Sequence, residues 1–456
     1  EPVARAELAE RLGIVPAHAR QTDALLTLLV RAGYLAEEGS SVRALPAFGA
    51  TADAWDSAGI DAALDRLRAE HPEVASTILP VQRFLAAYPE VLRGRANATE
   101  ILFPDASLDL AVGFYQGNPL TDHYNDLVRD AVAERLRARL PHLAAGEKVS
   151  VVELGAGTGA TTERVLPALD AEAARVEYVY TDVSPRFLEH GRTRFGAHRP
   201  HLGFRLLDLR ADAAQQGFTP GGHDVVVATN VVHATPDLAE TLRSVRSLLR
   251  PGGWLVLNEL TEPRGSVTVA GGVLDGWWSF RDSGVRIPDS PLAEPATWTR
   301  LLREAGFAEV ATASGDPDLG QTVLVAEAGT GQVSTPAPAR PRSNPAAART
   351  EGVPAGLRAL VEGRLKLDEH IDPDRPLAEY GFDSLTGMQV VTGIAETYGA
   401  EVRLVDILEH TTLRRLAAHL SEAGVLPSAA PPSGPSAESS GAAPPEPAAP
   451  PEPAPA

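Results

Sequence analysis

A glycine-rich turn between a strand pattern and a helix pattern constrains the fold of this chain more than any other feature. The apolar run Val149–Leu154 leads directly into three glycines, Gly155, Gly157 and Gly159, and a helix pattern starts near Thr161. Glycines at this spacing allow a tight turn that brings the backbone against a ligand, beside a helix N-terminus. A turn that binds nothing is the alternative interpretation. The element order therefore predicts a ligand site at the carboxyl edge of a sheet.

Short apolar runs and helix-like stretches alternate from residue 149 onward. Further runs rich in Val and Leu occur at 176–183, 204–209, 223–232, 253–260 and 321–328. Most of them are separated by helical stretches, at 161–169, 185–196 and 237–250. Strands that are apolar on both faces indicate a mostly parallel sheet covered by helices on both sides. We assign residues 146–328 to this α/β domain.

The rest of the chain divides into segments of different composition. Residues 1–74 and 75–145 carry apolar residues at three- and four-residue spacings, which predicts helices in both segments. Within 1–74, two helices and a strand-like run have the order of a winged helix, for which DNA reading and a packing or dimer role are both open. Residues 329–352 and 425–456 are rich in Pro and Ala, which predicts a linker and a disordered tail around a compact helical segment at 353–424.

Composition argues against several classes of function. The net charge of −19 disfavours nucleic acid as a partner, because phosphate contacts require a basic surface. The chain has no Cys, which excludes disulfides, cysteine-based zinc sites and a cysteine nucleophile. Without a long apolar run or a signal-peptide pattern, we expect no membrane contact and a cytoplasmic location. Because the chain starts at Glu1 and its one Met is Met388, we expect a processed product or an excised piece.

Acidic residues stand at the ends of three successive predicted strands. Glu153 precedes the glycine turn, where a carboxylate suits the ammonium group of an amino-acid-bearing cofactor better than a pyrophosphate. Asp182 ends the second strand, where an acid accepts both ribose hydroxyls, and Asp208 ends the third, where an acid meets the adenine amino group. With the Gly-x-Gly-x-Gly spacing, this constellation resembles class I methyltransferases that depend on S-adenosylmethionine (SAM) and have a seven-stranded Rossmann-like sheet. The resemblance implies SAM as the cofactor.

Two further polar residues belong to the fourth and fifth predicted strands. His233 follows the fourth strand and Glu259 lies in the fifth, so both reach the sheet edge that carries the glycine turn. A His partnered by a carboxylate is suited to act as a general base, because the carboxylate fixes the tautomer and stabilises the imidazolium. A helix-capping His and a solvated Glu are the alternative for either residue alone. Their shared placement beside the cofactor site favours a chemical role.

The stretches around this pair carry a more specific resemblance. Four of them resemble the C-methyltransferase domains of polyketide synthases, namely residues 88–128, 230–235, 258–262 and 271–307. The resemblance covers about residues 75–328 and implies that the helices of 75–145 form a lid before the SAM fold. It also implies α-C-methylation of a β-ketoacyl thioester, in which His233 takes the α-proton, Glu259 supports it and the enolate attacks the SAM methyl.

Other polar and aromatic residues are candidates for the same site. We expect Asn230 to contact the cofactor or the acyl chain. Tyr115 and Asn118 are expected to close over cofactor or substrate, with lid packing as the alternative. Of the neighbouring Trp277 and Trp278, we expect Trp278 to line the thioester tunnel, with core packing as the alternative.

One polar stretch contains several histidines. His190, His198 and His201 have no acidic partners at ligand spacing. This pattern predicts solvated side chains, and we expect no metal site.

The compact C-terminal segment carries a second motif. Gly381, Asp383 and Ser384 occur in the order of the phosphopantetheine attachment motif of acyl carrier proteins, and 402–420 resembles the third and fourth helices of that four-helix fold. The resemblance implies that Ser384 carries 4′-phosphopantetheine, whose thiol supplies the sulfur that this Cys-free chain lacks. A plain helix N-cap is the alternative role for this Ser.

Together these features predict an α/β chain with a class I SAM-methyltransferase Rossmann-like sheet, an N-terminal helical lid and a C-terminal four-helix acyl carrier domain. The expected partners are the β-ketoacyl group on the carrier arm, a phosphopantetheinyl transferase, and the ketosynthase, acyltransferase and ketoreductase domains of a polyketide synthase. The alternatives are O-methylation of a carrier-bound β-hydroxyacyl group, an inactive methyltransferase that presents the carrier, and a winged-helix regulator.

Overall fold

The computed structural model describes most of the chain up to residue 330 and parts of the C-terminal segment. The described residues are 2–54, 56–104, 107–197, 199–274, 276–313, 319–330, 353–365, 370–375, 377–380, 382, 384–400, 402, 407 and 410–426. Most of the predicted linker and tail, at 331–352 and 427–456, lies outside them. Within the described residues, no helix has both the length and the apolar character needed to cross a membrane.

The N-terminal residues form a small unit of helices and a three-stranded antiparallel sheet. Its elements are β1 (Val3–Ala4), α1 (Arg5–Leu12), α2 (Ala19–Arg31), β2 (Leu35–Glu38) and β3 (Ser41–Ala44). The strand order is β1-β3-β2, and Leu26, Leu35 and Val42 form the buried core between helices and sheet. The two helices and the strand-like run that the sequence predicts are present, the run as β3, and β2 pairs with β3 in a hairpin that the sequence pattern did not include.

Helices connect this unit to the large sheet. Those that the structure describes are α3 (Pro46–Ala54), α4 (Ser57–Glu70), α5 (Ala75–Leu92), α6 (Ala98–Leu102), α7 (Asp109–Tyr115) and α8 (Pro119–Arg139). An apolar cluster holds α5, α6 and α7 together through Phe84, Leu102 and Ala111. Ala270 and Val273 belong to the same cluster, so these helices share a core with a segment far along the chain.

A seven-stranded sheet forms the centre of the α/β domain. Its strands are β4 (Val149–Leu154), β5 (Val176–Asp182), β6 (Leu202–Leu206), β7 (His223–Thr229), β8 (Leu249–Leu260), β9 (Phe307–Thr312) and β10 (Gln321–Ala328). The strand order is β6-β5-β4-β7-β8-β10-β9. β4 to β8 pair in parallel, and β10 runs antiparallel to both of its neighbours. The predicted mostly parallel sheet is confirmed.

The sequence pattern missed one strand of this sheet. β9 lies at the edge, and four of its six residues are exposed. A strand of this kind lacks the two-sided apolar pattern by which the inner strands were predicted.

Helices cover both faces of the sheet. The remaining helices of this domain are α9 (Ala160–Asp170), α10 (Pro185–Phe195), α11 (Leu238–Leu248), α12 (Gly265–Gly271) and α13 (Pro295–Glu304). α11 and α13 pack on one face, where Trp298 is fully buried, and α8, α9 and α10 pack on the other around Tyr124 and Tyr178. The chain reverses its strand order at β4, so a crevice opens above the carboxyl ends of β4, β5 and β7.

The C-terminal segment forms a separate helical core. Its described helices are α14 (Ala355–Leu365), α15 (Ser384–Tyr398) and α16 (Leu413–Glu422). Gly393 of α15 faces Leu360 of α14, and a Cβ at this glycine would lie 3.0 Å from Leu360 Cδ1. The glycine therefore allows the two helices to pack closely. Most of the predicted third helix, at 403–406 and 408–409, lies outside the described residues.

Candidate active site

The glycine turn lies between β4 and α9 and is shaped by contacts that exclude larger side chains. Gly155, Gly157 and Gly159 all have positive φ, at 57°, 57° and 76°. A Cβ on Gly155 would lie 2.3 Å from Val231, and one on Gly159 would lie 2.3 Å from Phe195. The backbone conformation therefore favours glycine at all three positions, and the space also requires it at Gly155 and Gly159. The turn opens the crevice at the carboxyl end of β4.

A cavity of about 730 Å³ fills this crevice. Its volume is in the range expected for a site that holds a cofactor-sized ligand. Six of the seven predicted cofactor-binding residues line it, namely Glu153, Gly155, Gly157, Asp182, Asp208 and Asn230. Gly159 is not part of the lining and acts through the shape of the turn.

Glu153 places a buried carboxylate on the cavity wall. Its Oε2 accepts hydrogen bonds from the hydroxyl groups of Tyr178, at 2.6 Å, and Thr162, at 2.5 Å. Burial raises the pKa of Glu153 to about 7, and the charge of Asp182 adds to the effect, while the two hydroxyls oppose it. The donors bonded to this carboxylate are neutral. The ammonium group of SAM would supply the opposite charge, so the site fits this cofactor.

Asp182 ties the tip of β5 to the glycine turn. Its Oδ2 accepts a hydrogen bond from the Gly157 N–H at 2.9 Å, and its Oδ1 accepts one from the Ser184 N–H at 2.8 Å. A carboxylate oxygen can accept more than one hydrogen bond, which is what two ribose hydroxyls would require of this residue. The carboxylate is thus held in place on the cavity wall before any ligand binds.

Asp208 lies on the same wall, two residues beyond the end of β6, and is paired with Arg210. Nε and Nη2 of Arg210 donate to Asp208 at 2.9 and 2.8 Å, and this bond raises the pKa of the guanidinium. Arg210 also lines the cavity. An adenine amino group at Asp208 therefore has to share the carboxylate with Arg210. The Asp-x-Arg spacing is the sequence feature that could have predicted this ion pair.

Asn230 joins the tips of β7 and β8. Its backbone N–H donates to the Asn258 carbonyl at 2.8 Å, and its side-chain Oδ1 accepts from the Leu260 N–H at 3.0 Å. Its φ is +49°, a left-handed conformation that non-glycine residues adopt mainly where neighbouring structure enforces it. The residue therefore occupies a constrained position between two strand ends.

His233 and Glu259 form a buried pair. Nδ1 of His233 lies 2.6 Å from Oε2 of Glu259. Oε1 of Glu259 accepts hydrogen bonds from the backbone N–H groups of Val231 and Val232, at 3.1 and 2.7 Å. Glu259 is fully buried and His233 is 5% exposed. Because a carboxylate only accepts, Nδ1 carries the proton in the neutral ring and Nε2 is left as the basic nitrogen.

A second, smaller cavity of about 60 Å³ adjoins the first, and His233 of this pair lines it. His233, Asn230, Tyr115 and Trp277 are the lining residues that carry a polar atom in the side chain, and the other lining residues are Phe84, Leu102, Phe114, Leu260, Val267, Ala270, Gly271 and Leu274. Tyr115, Asn230, Leu102 and Leu274 line both cavities. The structure therefore brings the His–Glu pair, the predicted cofactor residues and an apolar pocket together.

Of the expected substrate residues, Tyr115 is the one that lies at the cavities. Asn118 lines neither cavity, and its Oδ1 instead accepts from the Thr121 N–H at 3.0 Å and caps α8. Trp278 also lies outside both linings, and its indole N–H donates to the Gly272 carbonyl at 2.7 Å. Its neighbour Trp277 faces the site, with its ring 5.5 Å from that of His233 in an edge contact. Asn118 and Trp278 therefore do not line the pocket.

The two described histidines of the polar stretch, His190 and His201, line neither cavity. Nε2 of His190 lies 3.2 Å from the Thr158 carbonyl oxygen. His201 is 6% exposed, so its predicted solvation is wrong, and burial lowers its pKa. His198 lies outside the described residues. Among the residues that the structure describes, no group of three His, Asp or Glu side chains has the arrangement of a metal site.

Part of the carrier motif reaches the large cavity. Phe382 lines it together with Thr99, Leu102 and Phe103 of the α6 region, and α15 contacts α6. Ser384 is the first residue of α15, and its side chain is not described. Gly381 and Asp383 lie outside the described residues.

Comparison with known proteins gives the same assignment for both parts of the chain. The family profile "Methyltransferase domain" matches residues 152–255, and "Phosphopantetheine attachment site" matches residues 355–420. Polyketide synthase ThaG of Burkholderia thailandensis is 36% identical over 90% of this chain, which corresponds to 8% of that synthase. The chain thus spans a small part of the curated relatives that it matches.

Two crystal structures extend the comparison to the fold. The DszA carbon methyltransferase is 40% identical with a TM-score of 0.66, over 72% of this chain and 83% of that one. The CurJ carbon methyltransferase is 30% identical with a TM-score of 0.63, over 72% and 85%. Fold and family together define a class I methyltransferase that uses SAM and is followed by a phosphopantetheine carrier domain. The chain belongs to the carbon methyltransferases of polyketide synthases, which confirms the predicted family, fold class and cofactors.

Proposed function

We propose that this chain methylates the α-carbon of a β-ketoacyl thioester that is attached to the phosphopantetheine arm of its own carrier domain. The observation that carries the proposal is the buried His233–Glu259 pair, because His233 lines an apolar pocket that shares Tyr115 and Asn230 with the cofactor cavity. A base at this position is useful only if the substrate must lose a proton before it accepts the methyl group.

The residues of the large cavity have distinct roles in holding the cofactor. Glu153 binds the ammonium group, and Asp182 binds the ribose hydroxyls beside the glycine turn. Asp208, shared with Arg210, meets the adenine amino group, and Asn230 contacts the methyl-donor end near the second cavity. Bound SAM supplies the electrophilic methyl group that the enolate carbon of the substrate takes.

His233 performs the proton transfer. The α-carbon of a β-ketoacyl thioester lies between two carbonyl groups, which makes its C–H bond acidic enough for an imidazole to remove the proton. Nε2 of His233 accepts this proton, and the electron pair of the C–H bond becomes the enolate. Glu259 keeps Nδ1 protonated before the transfer and stabilises the imidazolium afterwards.

The surroundings of the pair support a carbon acid as substrate. The wall of the smaller cavity is mostly apolar, and surroundings of low polarity strengthen the electrostatic effect of Glu259 on the ring. Tyr115 lines both cavities, so its side chain closes over the junction where the thioester and cofactor meet.

The carrier domain delivers the substrate. We propose that Ser384 holds 4′-phosphopantetheine through a phosphodiester, since the chain has no Cys that could form a thioester. Phe382, two residues before it, lines the large cavity, which supports entry of the arm from the α6 side. Ketosynthase and acyltransferase domains would supply the β-ketoacyl group, and a phosphopantetheinyl transferase would supply the arm. A ketoreductase domain would act on the β-keto group after methylation.

Intact-protein mass spectrometry tests the proposal. The carrier is loaded in parallel with a β-ketoacyl and a β-hydroxyacyl group of equal length, and SAM is added. The β-ketoacyl form should gain the mass of one methyl group in place of a proton, and the β-hydroxyacyl form should remain unchanged. Methylation of the β-hydroxyacyl form alone would indicate an O-methyltransferase, and loss of SAM binding would indicate an inactive scaffold.

His233→Ala is the decisive variant for the role of the base. We expect methylation of the β-ketoacyl carrier to be lost, because His233 is the only imidazole among the described residues that line the two cavities. SAM affinity measured by calorimetry should stay near the native value. Full methylation by this variant would contradict the proposed mechanism.

A further inference from the structure

Arg286 lies directly behind the turn that carries His233. It follows a short 3-10 helix at Ser283–Val285, in the loop between α12 and α13. The residue is 6% exposed, and the ring of Phe280 covers its guanidinium at 4.9 Å from the ring centroid. A buried guanidinium is costly unless each of its donors has a partner, so its contacts indicate what it stabilises.

The guanidinium donates hydrogen bonds mainly to backbone carbonyls, including two at the His233 turn. Nη1 donates to the carbonyl oxygen of His233 at 2.6 Å and to that of Pro291 at 2.5 Å. Nη2 donates to the carbonyl oxygen of Thr235 at 2.8 Å, and Nε donates to Oδ1 of Asp282 at 2.7 Å. The planar, rigid arrangement of these donors is specific to arginine and cannot be reproduced by a lysine.

These bonds complete a clamp on a weak element. His233 belongs to a single 3-10 turn, Val232–Ala234, which is too short to hold its own shape. The N–H groups at one end of the turn point to the carboxylate of Glu259, and the carbonyls of His233 and Thr235 point to Arg286. An anion at the N–H end and a cation at the C=O end each complement the dipole of the peptide groups between them.

The clamp is itself anchored to the neighbouring helix. Oδ2 of Asp282 accepts a hydrogen bond from the Leu238 N–H at 2.8 Å, at the start of α11. The backbone N–H of Arg281 donates to the Pro236 carbonyl at 2.9 Å. The loop 281–286 is therefore strapped along residues 233–238, and Arg286 is the part of the strap that reaches the turn of the base.

We propose that Arg286 is a positioning residue for His233, which fixes the backbone of the 3-10 turn so that Nδ1 meets Glu259 and Nε2 faces the substrate. This inference rests on the proposed role of His233 as the base. Arg286 itself lines neither cavity, and its guanidinium reaches the cavity walls only through the backbone carbonyls of His233 and Thr235. Its loss should therefore affect proton transfer and leave the binding of SAM intact.

Arg286→Lys and Arg286→Ala test the inference in the full chain with its phosphopantetheine arm loaded. Arg281→Ala is the matched control, because Arg281 lies in the same loop with an exposed side chain paired to Glu240. Misplacement of a reacting group by about 1 Å costs on the order of 100-fold in turnover. We expect a fall in kcat of this order for Arg286→Lys, with KM for the loaded carrier and the SAM dissociation constant changed less than about twofold.

Chemical rescue separates a positioning role from a general loss of structure. Guanidinium chloride at millimolar concentration should restore part of the kcat of Arg286→Ala in a saturable manner, and it should not change Arg281→Ala. If Arg286→Ala does not fold, the kcat of a folded Arg286→Lys tests the positioning role by itself. Native kcat in Arg286→Lys, loss of SAM affinity in parallel with activity, or a folded Arg286→Ala without rescue would each overturn the inference.

The control His233→Ala distinguishes this inference from the proposed function. If His233→Ala is inactive and Arg286→Lys behaves like the native chain, the base is correct and the positioning role is wrong. If His233→Ala retains activity, the proposed base is wrong whatever Arg286→Lys shows.

Discussion

Replacing Glu259 by Gln changes one carboxylate oxygen to an amide nitrogen and keeps the shape of the side chain. In the native site, Oε1 accepts from the N–H groups of Val231 and Val232, and Oε2 lies 2.6 Å from Nδ1 of His233. In Glu259→Gln, the amide oxygen must face the two N–H groups, because an amide NH2 there would point donors at donors. The NH2 group is then left facing Nδ1 of His233.

This orientation selects the unproductive tautomer of the ring. Nδ1 has to accept the hydrogen bond from the amide, so the proton of the neutral imidazole moves to Nε2 and the basic nitrogen is lost. The corresponding Asp-to-Asn change in a Ser–His–Asp site lowers turnover about 10⁴-fold. We expect a fall of about 10³- to 10⁴-fold here, which corresponds to roughly 4–5.5 kcal/mol of transition-state stabilisation.

The assay follows the mass of the loaded carrier in a single turnover with SAM in excess. A second measurement follows exchange of the α-proton with D2O in the absence of SAM, which reports on the base alone. Glu262→Gln is the matched control, since Glu262 is exposed three residues further along the chain. A folded Glu259→Gln that binds SAM and keeps more than about a tenth of native turnover would refute the tautomer argument.

Two further predictions concern the cofactor site. Gly155→Ala adds a Cβ that lies 2.3 Å from Val231 at a residue whose φ is +57°. We therefore expect SAM affinity, measured by calorimetry, to fall by about tenfold or more. The control is Gly221→Ala, which has similar backbone strain at a φ of +67° but no atom within 4 Å of the new Cβ, and which should leave SAM affinity unchanged. The pKa of Glu153 is raised from 4.5 to about 7 in the cofactor-free protein, so its contribution to stability is complete below pH 4.5 and is lost as pH rises through 7. Denaturant titrations should show the free energy of unfolding falling by on the order of 3 kcal/mol across this range, and Glu153→Gln should remove this slope; an equal slope in the variant would contradict the assignment.

The features that sequence could predict are those fixed by short stretches of chain or by the geometry of parallel strands. The glycine turn is recognisable because Gly155 and Gly157 lie in a short segment between a strand pattern and a helix pattern. The meeting of His233 and Glu259 follows from the rule that neighbouring parallel strands end at one edge of the sheet. Both inferences need only the order of elements along the chain.

The features that sequence could not predict depend on side-chain direction within irregular segments. Trp277 and Trp278 are adjacent, and only the path of the turn that contains them decides that Trp277 faces His233. The amide of Asn118 could line a pocket or cap a helix. In the structure α8 begins directly after Asn118, so its side chain caps this helix. The clamp by Arg286 joins a side chain to carbonyls more than 50 residues away, and no periodicity records such a contact.

The N-terminal unit shows how a recognisable arrangement can serve a different role. In a helix-turn-helix that reads DNA, the second helix lies free to enter the major groove. Here the corresponding helix, α2, packs against α12 instead. The amide of Gln21 is fully buried and donates to the Thr268 carbonyl of α12 at 2.9 Å. The guanidinium of Arg20 lies 4.1 Å from the ring centroid of Phe280, the same ring that covers Arg286. One face of α2 thus supports α12, which lines the pocket beside His233, so the packing role is favoured over DNA reading and the unit braces the wall of the active site from outside.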